Sequence, residues 1–135
     1  MKKMKSMMLS LLLFVALVGC KEKEPVEGIQ LVTAEEMQTI LELEDVQLID
    51  VRTPQEYDEI RIANAQNIDF MSPTFDEDIA KLDKTKPVIL YCKSGRRSAK
   101  CAEKMKKAGF EKIYDLEGGI SKWKHSDKLD IEVKS

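Results

Sequence analysis

The run Pro87-Val88-Ile89-Leu90-Tyr91 constrains the fold more than any other stretch. A strand with one wet face alternates apolar and polar residues, whereas this run is apolar throughout and reads as a strand buried on both faces. It leads directly into Cys92-Lys93-Ser94-Gly95-Arg96-Arg97-Ser98, and a helical pattern runs from about Arg97 to Ala108, closed by Gly109. A thiol is thereby placed where a strand ends and a helix opens. Gly95 lets the loop turn tightly, and Lys93, Arg96 and Arg97 flank the sulfur. Helix N-termini and nearby cations favour thiolate over thiol, so this pattern predicts sulfur chemistry at Cys92 in place of simple packing.

The remaining pattern alternates strand and helix. Ile29 to Val32, Val46 to Val51, Ala65 to Ile68 and Lys112 to Leu116 read as strands. Thr33-Ala34-Glu35-Glu36 is a capping box opening a helix to about Leu43, with Met37, Ile40 and Leu41 inward. Thr53-Pro54-Gln55-Glu56 opens another helical turn with Pro at its first position. Asp76 to Leu82 is a weaker helix, and Gly118-Gly119 starts a last helical segment through Trp123. Such alternation in one modest chain predicts an α/β fold: a mostly parallel central sheet with helices on both faces. Ligands of these folds sit outside the carboxyl ends of the strands, which is where Cys92 falls.

The N-terminal nineteen residues stand apart. Lys2, Lys3 and Lys5 precede an apolar run, Met7 to Val18, that is short for a membrane span. Its end, Leu17-Val18-Gly19-Cys20, resembles the bacterial lipobox. That resemblance implies a lipoprotein signal peptide over residues 1–19, lipidation of Cys20, and a lipid-anchored place in the bacterial cell envelope, periplasmic or on the outer membrane. An ordinary signal peptide or short membrane anchor is the alternative. Residues 20–28 are then the lipidated Cys and a polar tether, of which 21–28 reach at most about 28 Å when extended. The folded domain is expected over 29–130. Lys21 in place of Asp argues against inner-membrane retention, by analogy with sorting in some bacteria.

Removing residues 1–19 takes away three Lys and no acid, moving the net charge from −2 to −5. A surface this acidic excludes nucleic acid as an expected partner. The single His125 lies in a polar tail and is read as solvated. No second Cys stands at metal-ligand spacing, so neither a metal nor a cofactor is expected. Of the thiols left after Cys20, Cys101 shares helical spacing with Met105 and Ala108, opposite Lys100, Lys104 and Lys107. It reads as core, or else as a resolving thiol for Cys92.

Three segments together resemble the rhodanese-like family of single-domain sulfurtransferases. Leu48-Ile49-Asp50-Val51-Arg52-Thr53-Pro54-Gln55-Glu56-Tyr57 is similar to its first signature. The Cys92 to Ser98 loop is similar to its active loop. Gly109-Phe110 and Tyr114 to Trp123 are similar to its C-terminal signature. The likeness covers residues about 30 to 125. One stretch departs from it: Arg61 stands where a His is common and Asn64 where a Gly is usual.

The resemblance implies a three-layer rhodanese-like fold with Cys92 as nucleophile. Lys93, Ser94, Gly95, Arg96, Arg97 and Ser98 would form a loop binding substrate and persulfide. Asp50 and Arg52 would be an ion pair bracing that loop, with Asp50 as a direct acid the lesser reading. Gly118-Gly119 reads as close backbone packing beside the loop, and Trp123 as core. The expected partners are a small sulfur-containing donor and a thiol or cyanide acceptor, with the chain acting as a monomer. From Cys92 to Arg97 is six residues. The resemblance implies that this length suits sulfur, whereas related phosphatases and arsenate reductases use longer loops around phosphate-sized anions. A non-enzymatic module that carries persulfide or binds a protein remains the alternative function.

Overall fold

A computed structural model describes residues 26–135. The signal segment, Cys20 and most of the tether lie outside the described residues. Five strands form one parallel sheet in the order β1-β6-β5-β2-β4: β1 Ile29–Val32, β6 Ile113–Leu116, β5 Val88–Tyr91, β2 Gln47–Asp50 and β4 Gln66–Asn67. β5 is the middle strand, and all four of its residues are buried. Its unbroken apolar pattern follows from that place, because helices cover both of its faces.

Side-chain alternation along the strands sorts the core into two layers. Ile49, Val88 and Leu90 point to one face and pack with Phe75 of α3 (Phe75–Ile79) and with Cys101 and Met105 of α4 (Arg96–Lys107). Leu48, Ile89 and Tyr91 point to the other. They meet Met37 of α1 (Ala34–Leu43), Ile120 of α5 (Gly119–Trp123) and, at the margin, Tyr57 of α2 (Pro54–Glu59). The result is the expected three-layer arrangement.

Local signals explain the helix ends. Thr33 Oγ1 accepts from Glu36 N at 3.2 Å, and Glu36 Oε2 accepts from Thr33 N at 2.8 Å. After Ala108 the chain turns through Gly109 at φ +101°, and the Phe110 and Gly109 amides donate to the Met105 and Lys106 carbonyls. This pair of bonds is a Schellman motif, and it delivers Phe110 into the core.

Several sequence expectations shift. The inward stripe of α4 is Ser98, Cys101, Ala102 and Met105; Ala108 is exposed because the helix ends there. Leu41 is exposed in the last turn of α1. Trp123 is only half-buried, its Nε1 donating to the Glu117 carbonyl at 2.8 Å. A second, antiparallel sheet pairs β3 (Ile60–Ile62) with β7 (Ile131–Val133), so the folded chain continues past residue 130.

Phe75 is 2 % exposed and meets Phe70 edge-to-face with ring centroids 5.2 Å apart. Phe75→Ala is expected to cost about 3–5 kcal/mol in urea denaturation, since it removes an aromatic anchor and leaves a cavity.

Candidate active site

Cys92 sits at the carboxyl end of β5 and is 1 % exposed. The loop is short: α4 opens at Arg96, one residue earlier than the pattern implied. Gly95 caps the helix at φ +97°, a left-handed conformation that a residue with a Cβ adopts only at a cost. That turn aims the Gly95 N–H at Cys92 Sγ, 3.0 Å away. The thiol in turn donates to Ser98 Oγ at 3.4 Å, and Ser98 Oγ donates to the Gly95 carbonyl at 3.3 Å. No side chain caps the start of α4, so its first N–H groups stay free to face an anion at the loop.

The three loop cations behave differently from one another. Lys93 and Arg96 are exposed. Arg97 instead forms a two-pronged pair with Glu56, Nη1 to Oε2 at 2.7 Å and Nη2 to Oε1 at 2.8 Å. Its charge is thereby matched, and Arg97 is a brace for the loop more than a source of free positive potential. Glu56 also accepts from the Thr53 N–H at 2.9 Å and hydroxyl at 3.0 Å, so one carboxylate caps α2 and clamps the loop. The Arg97 hydrogen bonds hold its pKa down at about 2, against a smaller opposing effect of burial. The sequence pattern places Glu56 in the turn that opens α2 and in the first signature, with no sign of this second role. Its partner lies 41 positions away, and nothing in the local spacing signals it.

Asp50 and Arg52 do form a buried pair, with Nη2 to Oδ2 at 2.7 Å and Nε to Oδ1 at 3.0 Å. Arg52 also donates to the Ile60 carbonyl and lies 5.7 Å from the centre of the Tyr91 ring. The pair therefore ties β2 to β3 and packs on the residue preceding Cys92. Its support of the loop is indirect.

Behind the loop, α5 presents its first amides. Ile120 N donates to the Cys92 carbonyl at 2.9 Å and Ser121 N to the Lys93 carbonyl at 3.0 Å. A Cβ on Gly119 would stand 2.5 Å from the Cys92 and Lys93 carbonyl oxygens. Gly119 is thus close backbone packing, as expected, whereas a Cβ on Gly118 would meet the Lys122 side chain.

Two hollows flank the loop. One, of about 190 Å³, is lined by Arg52, Glu56, Lys93, Ser121 and Lys124. The other, of about 580 Å³, is lined by Ser94, Gly95, Arg96, Lys100 and Asp115. Cys101 is fully buried, its Sγ 3.8 Å from Met105 Sδ, and burial pushes its pKa up to about 12. Both Cys92 and Cys101 are free thiols. His125 is exposed. Arg61 pairs with Glu132 of β7 at 3.0 Å and lies over the Tyr57 ring.

A parallel sheet delivering a cysteine into a six-residue loop at a helix start defines the rhodanese-like α/β fold. Residues 33–126 match the family description "Rhodanese-like domain", and the chain belongs to that family. It is similar to the probable adenylyltransferase/sulfurtransferase MoeZ of Mycobacterium tuberculosis, 42 % identical over 84 residues, which are 62 % of this chain and 21 % of that protein. The chain thus spans about a fifth of that relative's length. It is also similar to the thiosulfate sulfurtransferase GlpE of Coxiella burnetii, 38 % identical over 80 residues, 59 % of this chain and 73 % of that one. Among solved structures, a rhodanese-like domain protein from Staphylococcus aureus superposes with a TM-score of 0.65 at 31 % identity, covering 78 % of this chain and 99 % of that one.

A depressed carboxylate pKa contributes stability above its unfolded value, near 4.5, and loses it as pH falls toward about 2. Glu56→Gln is expected to remove that acid-sensitive contribution. Thermal melts between pH 5 and 2 should show a flatter acid limb than the parent, and limited proteolysis should cut the Cys92 to Ser98 loop faster.

Proposed function

We propose that the chain is a sulfurtransferase working through Cys92. The observation that carries this reading is the cradle at Sγ: a backbone N–H at 3.0 Å, in a short loop opening onto an uncapped helix start. Such donors stabilise an anionic sulfur, and the loop spans six residues, short for a tetrahedral phosphate. The similarity to GlpE, which is named for thiosulfate, supports that donor.

In the first half-reaction the Cys92 thiolate attacks the outer sulfur of thiosulfate. A Cys92–S bond forms, the S–S bond of thiosulfate breaks, and sulfite leaves with the electron pair. Cys92 is left as a persulfide anion in the cradle. In the second half-reaction cyanide or an acceptor thiolate attacks that outer sulfur and Cys92 departs as thiolate. No external oxidant is needed, and the scheme is ping-pong. The small hollow offers Lys93 and Lys124 to a sulfur oxyanion, beside Glu59 and the already paired Arg52 and Glu56. Lys93 to Ser98 shape the cradle, while Asp50 and Arg52 support it through Tyr91.

The proposal extends to the cell. Signal cleavage before Cys20 and lipidation of that residue would anchor the domain at the cell envelope, acting as a monomer on small donors and acceptors. The anchor would be its only membrane contact, and the acidic mature chain would not bind nucleic acid. Lipid anchoring is supported by the basic start, the short apolar run and the Cys that follows Val18-Gly19.

Incubation with thiosulfate should raise the intact mass by one sulfur atom. Cyanide should reverse the gain, Cys92→Ser should abolish it and Cys101→Ala should leave it intact. No gain with any sulfane donor would sink the reading. In a bacterial host, Cys20→Ser should move the chain from the membrane to the soluble fraction and eliminate acyl-modified mass; unchanged membrane association without acylation would refute the lipid anchor.

A further inference from the structure

The strands of the main sheet are all parallel, so their first residues share one end, the base, and Cys92 lies at the other. The chain enters at the base. Ile29 N donates to the Val26 carbonyl at 3.0 Å, and the Gly28 carbonyl accepts from Ile113 N at 2.8 Å. Residues 26–28 are therefore a turn fastened to the sheet, and they add nothing to the reach of the tether. From Cys20 to Val26 the chain has only six Cα steps, at most about 22 Å when straight.

We propose that the anchored domain stands on the base of its sheet with the Cys92 loop turned away from the bilayer, and that it takes its sulfur acceptor from water and not from lipid. This rests on the lipidated Cys20 of the preceding reading. The strand register gives the height. Ile29 is level with Ile113, and Ile113 with Val88. Cys92 lies four positions beyond Val88, about 13 Å farther along the strand direction. Six flexible steps have a relaxed span of about 14 Å, so the sulfur stands roughly 25 Å from the lipid surface. Turning the loop onto the bilayer would lift the base by the height of the sheet and of the loop beyond Cys92. The tether would then run nearly straight along the side of the domain and lose most of its conformational freedom.

The placement suits an anionic donor. A surface of anionic lipid repels thiosulfate only within a Debye length, about 8 Å at physiological ionic strength. The loop lies beyond that field, and the exposed Lys93 and Arg96 set its local potential.

Two exposed side chains mark the two ends of the domain. Leu43 ends α1 at the base and is 79 % exposed; the adjoining Glu44 pairs with Lys112, just before β6. Met71 is 69 % exposed and follows β4 at the carboxyl end, where Phe70 N donates to the Val51 carbonyl at 3.1 Å. The full acylated chain, its anchor verified by intact mass, is placed in phosphatidylcholine vesicles doped with bromoacetyl-phosphatidylethanolamine. Soluble iodoacetamide gives the reference rate at each position, and peptide mapping separates these positions from Cys92 and Cys101. Relative to the soluble reagent, the lipid-borne one should label position 43 in Leu43→Cys at least about tenfold faster than position 71 in Met71→Cys. Inserting about twelve Gly/Ser residues after Pro25 should narrow that gap, because a longer tether permits inversion. Equal labelling of the two ends, or a preference for position 71, overturns the proposal. After sulfur loading, discharge to a soluble thiol that is no faster than discharge to a thiol-headgroup lipid also overturns it. A chain lacking the acyl mass refutes the anchor itself, so the two failures are told apart.

Discussion

β5 is buried on both faces, and the placement of everything else around Cys92 depends on that burial. A strand in the middle of a parallel sheet has no freedom of register: its neighbours β6 and β2 fix it residue by residue, from Val88 opposite Ile113 to Tyr91 opposite Asp50. The first residue past such a strand emerges at a defined point. The loop then has only Cys92 to Gly95 in which to reverse direction before α4 begins. Because α5 delivers backbone amides to the Cys92 and Lys93 carbonyls, the rear of the loop is closed by main chain alone. Gly119 is what permits that approach, since any Cβ there would overlap those carbonyls. Rigidity of the sulfur cradle is thus inherited from the sheet and sealed by a residue with no side chain.

Charge around the cradle is arranged in pairs more than in excess. Arg97 is matched by Glu56 and Arg52 by Asp50, which leaves Lys93 and Arg96 to provide the outward field. The two perturbed carboxyls oppose one another with pH. Glu56 is held low, so its contribution is complete above about 4.5 and fades as pH falls toward 2. Asp115 is pushed up, so the fold carries an increasing penalty as pH rises from the ordinary Asp range through about 6. From these two groups alone, stability peaks where the opposing effects cross, at about pH 4, and falls on either side.

Much of this was legible in the sequence because the signals are local. The pattern marks all five parallel strands to within one residue at either end, the capping box at Thr33 closes as expected, and the turn opened at Thr53 proves to hold a second one. The Cys92 loop and the Gly119 packing were visible for the same reason. What was missed is non-local. Glu56 and Arg97 meet across 41 positions, and β3 with β7 across about seventy. Both strands of that second pair have three residues, too few to show a period. Asp115 is a further case, since a polar residue inside a strand carries no local sign of burial. Only the full cover of this sheet by α4 makes it a buried group.

In the segment that departs from the family pattern, the Arg61 guanidinium pairs with Glu132 at 3.0 Å and lies 4.7 Å from the centre of the Tyr57 ring. Tyr57 in turn donates its hydroxyl to the Ala65 carbonyl at 2.6 Å. One side chain thereby joins α2, the turn after β3 and the C-terminal strand. Asn64 takes the left-handed turn at φ +66° where Gly is usual, a conformation Asn tolerates better than most residues. Since Arg52 also donates to the Ile60 carbonyl, β3 is held from both ends, by the buried pair beneath Tyr91 and by the Arg61 tie to β7. Arg61 thus anchors this edge to the C-terminal strand, next to the small hollow whose wall includes Ile60 of the same β3.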